Sequence, residues 1–209
     1  MGLPATFLRL GDCNLSCSYC DTPYSWDWQR YVRRQELQEQ DVVDVAGRVR
    51  ALGPRRLVVT GGEPLLQLAS LEDLLAELRD FIVEVETNGT LMPGARLLQV
   101  VKQWNVSPKL SNSGIPRFSR IKPDVLSAFR DKQTAWLKLV VSELEQLAEV
   151  EDIVSSLQWP KEKVILMPQA IDASELAMRS SWLAEAALGH GYRFSTRLHV
   201  LLWGNERGR

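Results

Sequence analysis

Short apolar runs alternate along the chain with stretches whose apolar residues recur at helical spacing. Ala5 to Leu10, Arg56 to Thr60, Phe81 to Thr87, Asn105 to Lys109, Ala135 to Val141 and Val164 to Gln169 read as strands or strand ends, because apolar and β-branched residues run together or alternate with polar ones and then stop at turn residues. Between them, Asp41 to Leu52 has helical periodicity and is stopped by Gly53-Pro54. Further helices are expected from about Ser70 to Arg79, from Gly94 to Gln103, and from a capping box at Ser142 to Glu145 as far as about Leu157. A last one runs from Ser174 to Leu188 and is closed by Gly189 and Gly191. Arg193 to Leu202 reads as a final extended run, 21–34 as an irregular excursion rich in aromatic residues, and 110–120 as a mobile loop. Strands that mostly alternate with helices imply an α/β protein with a parallel sheet closing partway into a barrel.

Polar residues collect where these strands end: 11–22, Thr60 to Pro64, Glu86 to Gly89, Ser107 to Lys109, and Gln169. In barrel-like α/β folds, ligands gather at that carboxyl-terminal rim. Within the first strand Arg9 is a charge in an apolar setting, so it faces water or meets an anion. Gly61-Gly62 after the second strand would let a ligand approach the backbone with no Cβ in the way.

Composition narrows the class. The 209 residues suffice for one domain with a sizeable core; they are 45% apolar and 24% charged with a formal net charge of -1. Basic residues are dispersed among as many acids, which argues against nucleic acid as a partner. No run of eighteen apolar residues and no basic and apolar amino-terminal leader is found, so no membrane partner is expected and the chain is placed in the cytoplasm.

All three cysteines fall within eight positions, as Cys13-Asn14-Leu15-Ser16-Cys17-Ser18-Tyr19-Cys20. Three thiolates on one loop suit a soft metal centre, and this spacing can wrap three corners of a cubane 4Fe-4S cluster while leaving one iron without a protein ligand. Zinc would want a fourth Cys or His, and the two histidines, His190 and His199, lie far along the chain. Packing of three free thiols in a core is the remaining alternative, set against the loop character of Gly11, Asp12, Asn14 and Ser16.

The C-x3-C-x2-C spacing, with aromatic Tyr19 before the last cysteine, resembles the signature of radical S-adenosylmethionine enzymes. Cys20-Asp21-Thr22 and the tail from Arg197 to Gly204, which is similar to an R-L-H-x-x-x-W-G close, resemble the branch of 7-carboxy-7-deazaguanine synthases of queuosine biosynthesis. The resemblance runs from Phe7 to Gly204 and implies a partial (βα)6 barrel with some helices abbreviated. It further implies a lyase that turns 6-carboxy-5,6,7,8-tetrahydropterin into 7-carboxy-7-deazaguanine with release of ammonia. The implied cofactors are a 4Fe-4S cluster, S-adenosylmethionine, whose reductive cleavage starts the chemistry, and Mg2+.

Residue by residue, the resemblance assigns Cys13, Cys17 and Cys20 to the cluster and Thr22 to Mg2+. Tyr19, Asp21, Gly62, Glu63, Glu86, Ser107, Lys109 and Gln169 fall to S-adenosylmethionine, and Arg9, Thr60 and His199 to the pterin. Taken alone, Asn88-Gly89 needs no ligand to explain it, Thr22 could cap a turn, and a lone histidine such as His199 is more often packed and satisfied. The resemblance also implies a flavodoxin or ferredoxin as electron donor and a homodimer. One departure stands out: members of that branch begin with a further strand carrying Q-G-E-G, and this chain starts at the position of the following glycine, Gly2. A start codon placed too far downstream is the favoured explanation, since the rest of the pattern is intact. Two other readings are an activase that installs a glycyl radical on a protein partner and a non-catalytic iron-sulfur or zinc module.

Overall fold

Alternation builds the sheet. In the computed structural model, which describes residues 2–207, seven strands lie side by side in chain order, all parallel. They are β1 (Thr6–Leu10), β2 (Arg56–Gly61), β3 (Ile82–Thr87), β4 (Gln103–Val106), β5 (Ala135–Val141), β6 (Val164–Pro168) and β7 (Arg193–Phe194). A parallel neighbour can be reached only by crossing back over the sheet, and the helices make those crossings. Between β1 and β2 come α1 (Arg33–Glu36) and α2 (Val42–Ala51), then α3 (Leu68–Glu77) and α4 (Ala95–Val100) follow β2 and β3. The short α5 (Arg117–Arg120) and α6 (Pro123–Arg130) precede β5, α7 (Gln146–Ser156) and α8 (Ala173–His190) flank β6, and α9 (Leu198–Trp203) is the last element among the described residues.

One face of each strand supplies the core. Leu57, Val59, Val83, Val85, Trp104, Leu137, Leu139 and Leu166 pack against Leu71, Leu97, Leu126, Phe129, Ile153 and Leu183 of the helices. Trp104 and Phe129 anchor this layer with ring centroids 5.1 Å apart. Each such side chain contributes about 1.5–3 kcal/mol by leaving water, which explains why the glutamates of β3 alternate with Val83 and Val85 and do not interrupt the strand. The other, concave face carries Arg9, Thr60, Glu84, Glu86, Asn105 and Lys138. Register places Arg9 beside Thr60 and Glu86 beside Asn105, so these four form a transverse row near the strands' carboxyl ends, with Lys138 two residues beyond Trp136, the partner of Asn105.

Among the described residues β1 pairs only with β2 and β7 only with β6, so the barrel stays open. The partial barrel expected from sequence is present, with a two-residue seventh strand added. Several element bounds differ from expectation. Arg193 to Leu202 is not extended throughout, since β7 ends at Phe194 and Leu198–Trp203 forms α9. Ser142 to Glu145 does not open a helix. Gln146 reaches back instead, its Oε1 accepting from Ser142 N at 2.7 Å and Glu143 N at 3.2 Å, and α7 starts after that turn. Ser70 lies inside α3, which is entered through a 3-10 turn at Pro64–Gln67 capped by Glu63. Helix α4 stops at Val100, leaving Gln103 to begin β4.

Segment 110–120 is not loose. Buried Arg120 donates to the carbonyls of Ile115 at 2.9 Å and Lys109 at 2.8 Å and pairs with Glu149 at 2.6 Å, which fastens the segment to α7. Among the described residues no helix is long and apolar enough to cross a membrane.

Candidate active site

Because every strand runs the same way, all strand ends lie on one rim, and the cysteine loop sits there as the continuation of β1. Its path needs residues that tolerate crowding. A Cβ on Gly11 would lie 2.1 Å from Leu37 Cδ1, and one on Gly62 only 2.0 Å from the Asp12 carbonyl oxygen. Gly62 N donates to Leu10 O at 3.0 Å and Glu63 N to Asp12 O at 2.8 Å, so the glycine ridge and the cysteine loop are backbone-paired. Asp12 adopts a left-handed φ of 65°, and its carboxylate accepts from Trp28 Nε1 at 2.9 Å and Arg33 Nη2 at 3.1 Å. That pair of contacts ties the aromatic excursion to the loop.

Asn14 links the loop to the turn after β3. Its Nδ2 donates to Thr90 Oγ1 at 2.8 Å, and its Oδ1 accepts from Asn88 Nδ2 at 2.9 Å. On the opposite flank, Ser18 N donates to Ser113 O at 3.0 Å and Ser18 Oγ to Asn112 O at 2.9 Å. Four segments therefore hold one loop in place.

Cys13, Cys17 and Cys20 are free, half-buried thiols. Leu15 N donates to Cys13 Sγ at 3.4 Å and Trp26 Nε1 to Cys20 Sγ at 3.2 Å. Burial pushes the Cys13 thiol up to about 11 and raises Cys17, while the Lys109 ammonium pulls both back. Soft sulfur donors, N–H groups aimed at sulfur and a nearby cation together fit an anionic iron-sulfur cluster. Among the described residues no three His, Cys, Asp or Glu side chains converge on a single metal ion.

Tyr19 packs inward, its buried hydroxyl without a hydrogen-bond partner and its pKa raised by burial. It lines a cleft of about 600 Å³ together with Ser142, Gln146, Gln169 and Arg179. Arg179 Nη1 donates to both the carbonyl and the side-chain Oε1 of Gln169, at 2.5 Å and 2.7 Å, which fixes that amide at the cleft wall. Lys109 Nζ lies 3.4 Å from Ser107 Oγ.

Glu86 faces the concave chamber. Its Oε1 accepts from Lys138 Nζ at 3.0 Å and its Oε2 from Thr60 Oγ1 at 3.3 Å. The Lys138 charge holds this carboxyl below its ordinary value despite burial. Arg9 stands beside Thr60 in the register, its Nη1 donating to Gly61 O at 3.4 Å.

The Glu63 carboxylate is fully buried and points inward. It accepts from Leu65 N at 3.1 Å, Thr87 Oγ1 at 2.8 Å and Asn88 N at 2.7 Å. Its side chain supports the ridge from below.

The tail brings His199 to the chamber mouth. Arg197 forms an ion pair with Asp21 and places Nη2 3.4 Å from His199 Nε2. Burial would raise the Asp21 pKa, but Arg197 outweighs it and keeps the group a carboxylate. Burial first, and then Arg197, lower His199. Thr22 Oγ1 lies 3.7 Å from Cys20 Sγ, and the Thr22 carbonyl accepts from Ser25 N at 3.0 Å and Ser25 Oγ at 2.8 Å. Sequence reasoning missed Lys138, Asn14 and Trp26, and it read Arg197 only as the start of the tail motif, without its contact to Asp21. Lys138 carried the signal that had singled out Arg9, a lone charge inside an apolar strand.

An open parallel barrel with three thiols on the loop after its first strand defines the radical S-adenosylmethionine class, and a match to the Radical SAM superfamily covers residues 9–111. The fold is also that of QueE from Escherichia coli, with a TM-score of 0.66 at 24% identity over 94% of this chain and 86% of that one. A 7-carboxy-7-deazaguanine synthase of Pyrobaculum aerophilum is 40% identical over 100% of this chain and 90% of its own length. Another, of Rhodopirellula baltica, is 31% identical over 99% of this chain and 82% of its own. The chain belongs to the 7-carboxy-7-deazaguanine synthase family. The activase and the non-catalytic module find no support in these comparisons.

Proposed function

We propose that the chain, as a single radical S-adenosylmethionine domain, converts 6-carboxy-5,6,7,8-tetrahydropterin to 7-carboxy-7-deazaguanine with release of ammonia. What carries this reading is that the family likeness extends over the entire chain. The class takes a 4Fe-4S cluster, S-adenosylmethionine and a one-electron reductant, and Mg2+ completes the set here. When bound, cluster and S-adenosylmethionine supply the radical that begins the rearrangement.

The protein's share is positioning and charge. Cys13, Cys17 and Cys20 hold the cluster, with Trp26 donating to a cluster sulfur ligand. The ridge at Gly62, the polar group Ser107 and Lys109, and the cleft between Tyr19 and Gln169 receive S-adenosylmethionine, whose carboxylate meets the Lys109 ammonium. Glu86, held as a carboxylate by Lys138, accepts hydrogen bonds at the chamber wall. Arg9, Thr60 and His199 surround the pterin, Arg9 countering its carboxylate, and the Thr22 hydroxyl is the oxygen this loop offers to Mg2+. A flavodoxin or ferredoxin as reductant, a homodimer and a cytoplasmic setting complete the proposal.

The test is an anaerobic assay of cluster-loaded protein with the carboxytetrahydropterin, S-adenosylmethionine, Mg2+ and dithionite. Formation of the deazapurine and one ammonia per turnover is expected. Cleavage of S-adenosylmethionine with the pterin recovered unchanged would overturn the reading.

A further inference from the structure

The loop that follows the third cysteine presents two oxygen donors in succession, and they are in different states. The Asp21 carboxylate is engaged by Arg197, which arrives from a point 176 residues further along the chain. That arginine is nine-tenths buried, and its Nε, also buried, makes no hydrogen bond, so the guanidinium is held in place by Asp21 with a donor to spare. The Thr22 carbonyl is spent on Ser25, as its two bonds at 3.0 Å and 2.8 Å show. The Thr22 hydroxyl, with the Cys20 sulfur 3.7 Å away as its neighbour, carries no charge, and Arg197 neutralises the Asp21 carboxylate through Oδ2.

A hard divalent cation choosing between these groups would ordinarily take the carboxylate, because affinity for such ions rises with the number of charged oxygen ligands. A guanidinium prevents that permanently: it does not lose its proton in the accessible pH range, and its planar fork matches a carboxylate. A lysine in the same place would be a mobile point charge.

We infer that Arg197 is a positioning residue that neutralises the Asp21 carboxylate through one of its oxygens, so that the loop offers Mg2+ a neutral hydroxyl and no net negative charge, and the cation enters only together with the carboxylate of the substrate. This rests on the assignment of Thr22 to Mg2+ made above and deepens it. Affinity for the cation is thereby conditional. Without substrate the loop is a poor site, and with it the missing negative charge arrives from the ligand. The same contact anchors the start of α9 beside the cluster loop, which keeps His199 at the chamber mouth.

Mn2+ serves as the probe, because it replaces Mg2+ at oxygen sites and its EPR signal can be read against the diamagnetic oxidised cluster. Free Mn2+ is titrated with cluster-loaded wild type, Arg197→Gln, Arg197→Lys, the double variant Arg197→Gln with Asp21→Asn, and Thr22→Ala, each with and without the carboxytetrahydropterin. Iron and sulfide content confirms that each variant holds its cluster. Wild type should bind Mn2+ weakly alone and markedly more tightly with the pterin.

Arg197→Gln should gain about tenfold or more in substrate-free affinity, since one carboxylate is added to the site. Arg197→Lys should lie between, and it carries the comparison if the glutamine variant fails to load its cluster. The double variant should return to wild-type weakness. If Arg197→Gln and Arg197→Lys both bind Mn2+ as wild type does while Thr22→Ala loses the pterin-dependent gain, Arg197 has no such role and the Thr22 assignment stands. If Thr22→Ala keeps that gain in full, the Thr22 assignment fails and this inference fails with it.

Discussion

Asn88 Nδ2 donates to Asn14 Oδ1 at 2.9 Å, joining residues 74 positions apart and locking the turn after β3 to the loop that carries the cysteines. Asn88 also accepts from Thr90 N at 2.9 Å and Thr90 Oγ1 at 2.6 Å, while its own N–H goes to Glu63. The turn is thus a bracket between two functional segments. Replacing Asn88 by Ala leaves buried donors and acceptors unpaired, at a cost of about 1–3 kcal/mol. A lower melting temperature and faster iron loss to a chelator are expected. Wild-type iron retention would show that the loop needs no such support.

Gly62→Ala should be the most damaging of the glycine substitutions. Its Cβ would meet the Asp12 carbonyl at 2.0 Å, and that atom belongs to backbone already bonded to Glu63 N. The loop or the ridge must move, at about 1–3 kcal/mol or more for overpacking. Iron and sulfide content after reconstitution should fall well below that of wild type. Gly189→Ala, where a Cβ meets nothing within 4 Å, is the control and should load normally.

The Trp26 indole donates to Cys20 Sγ at 3.2 Å. Hydrogen bonds to cluster sulfurs stabilise the more negative, reduced state and so raise the reduction potential. Trp26→Phe removes the donor but keeps the ring's bulk. Its potential should fall by on the order of tens of millivolts, measured by EPR-monitored redox titration. An unchanged midpoint would mean the indole serves packing alone.

His199 titrates below its ordinary 6.5, held there by burial and then by the Arg197 charge. A basic group whose folded-state pKa is depressed adds stability above its unfolded value, and that stability is lost as pH falls through the folded value. Compared with His199→Gln, which does not titrate, the wild type should lose stability as pH drops below 6.5. Denaturant unfolding at several pH values reads this directly. Two curves that stay parallel across that range would refute it. In Arg197→Gln the histidine should titrate higher, since the second of its two main causes has gone.

What the sequence made legible was local. The cysteine spacing, Thr60 to Pro64, Glu86 to Gly89 and Ser107 to Lys109 each declare themselves within a few residues, and the parallel sheet puts them on one rim without further information. Contacts between distant residues stayed hidden. Asp21 and Arg197 are ordinary charges until the fold brings them together, and Lys138 means little until Glu86 lies opposite. Two other misreadings came from competition between local signals. The Ser142 to Glu145 pattern looks like a cap, but Gln146 takes the Ser142 N–H that the Glu145 side chain would have accepted, together with that of Glu143. Arg193 to Leu202 has the apolar run of a strand, yet only its first two residues have a sheet edge to join. The motif around Glu63 declares a ridge, but not that its side chain reaches Thr87 and Asn88 of the next unit.

The strands lie across the sheet in the order in which the ribosome makes them. Each new βα unit therefore meets a ready edge as it emerges, and no strand waits for a later one to be inserted beside it. The cysteines are made before Arg197. The loop after Cys20 therefore receives its clamp from Arg197 only after β1 to β7 have been synthesised.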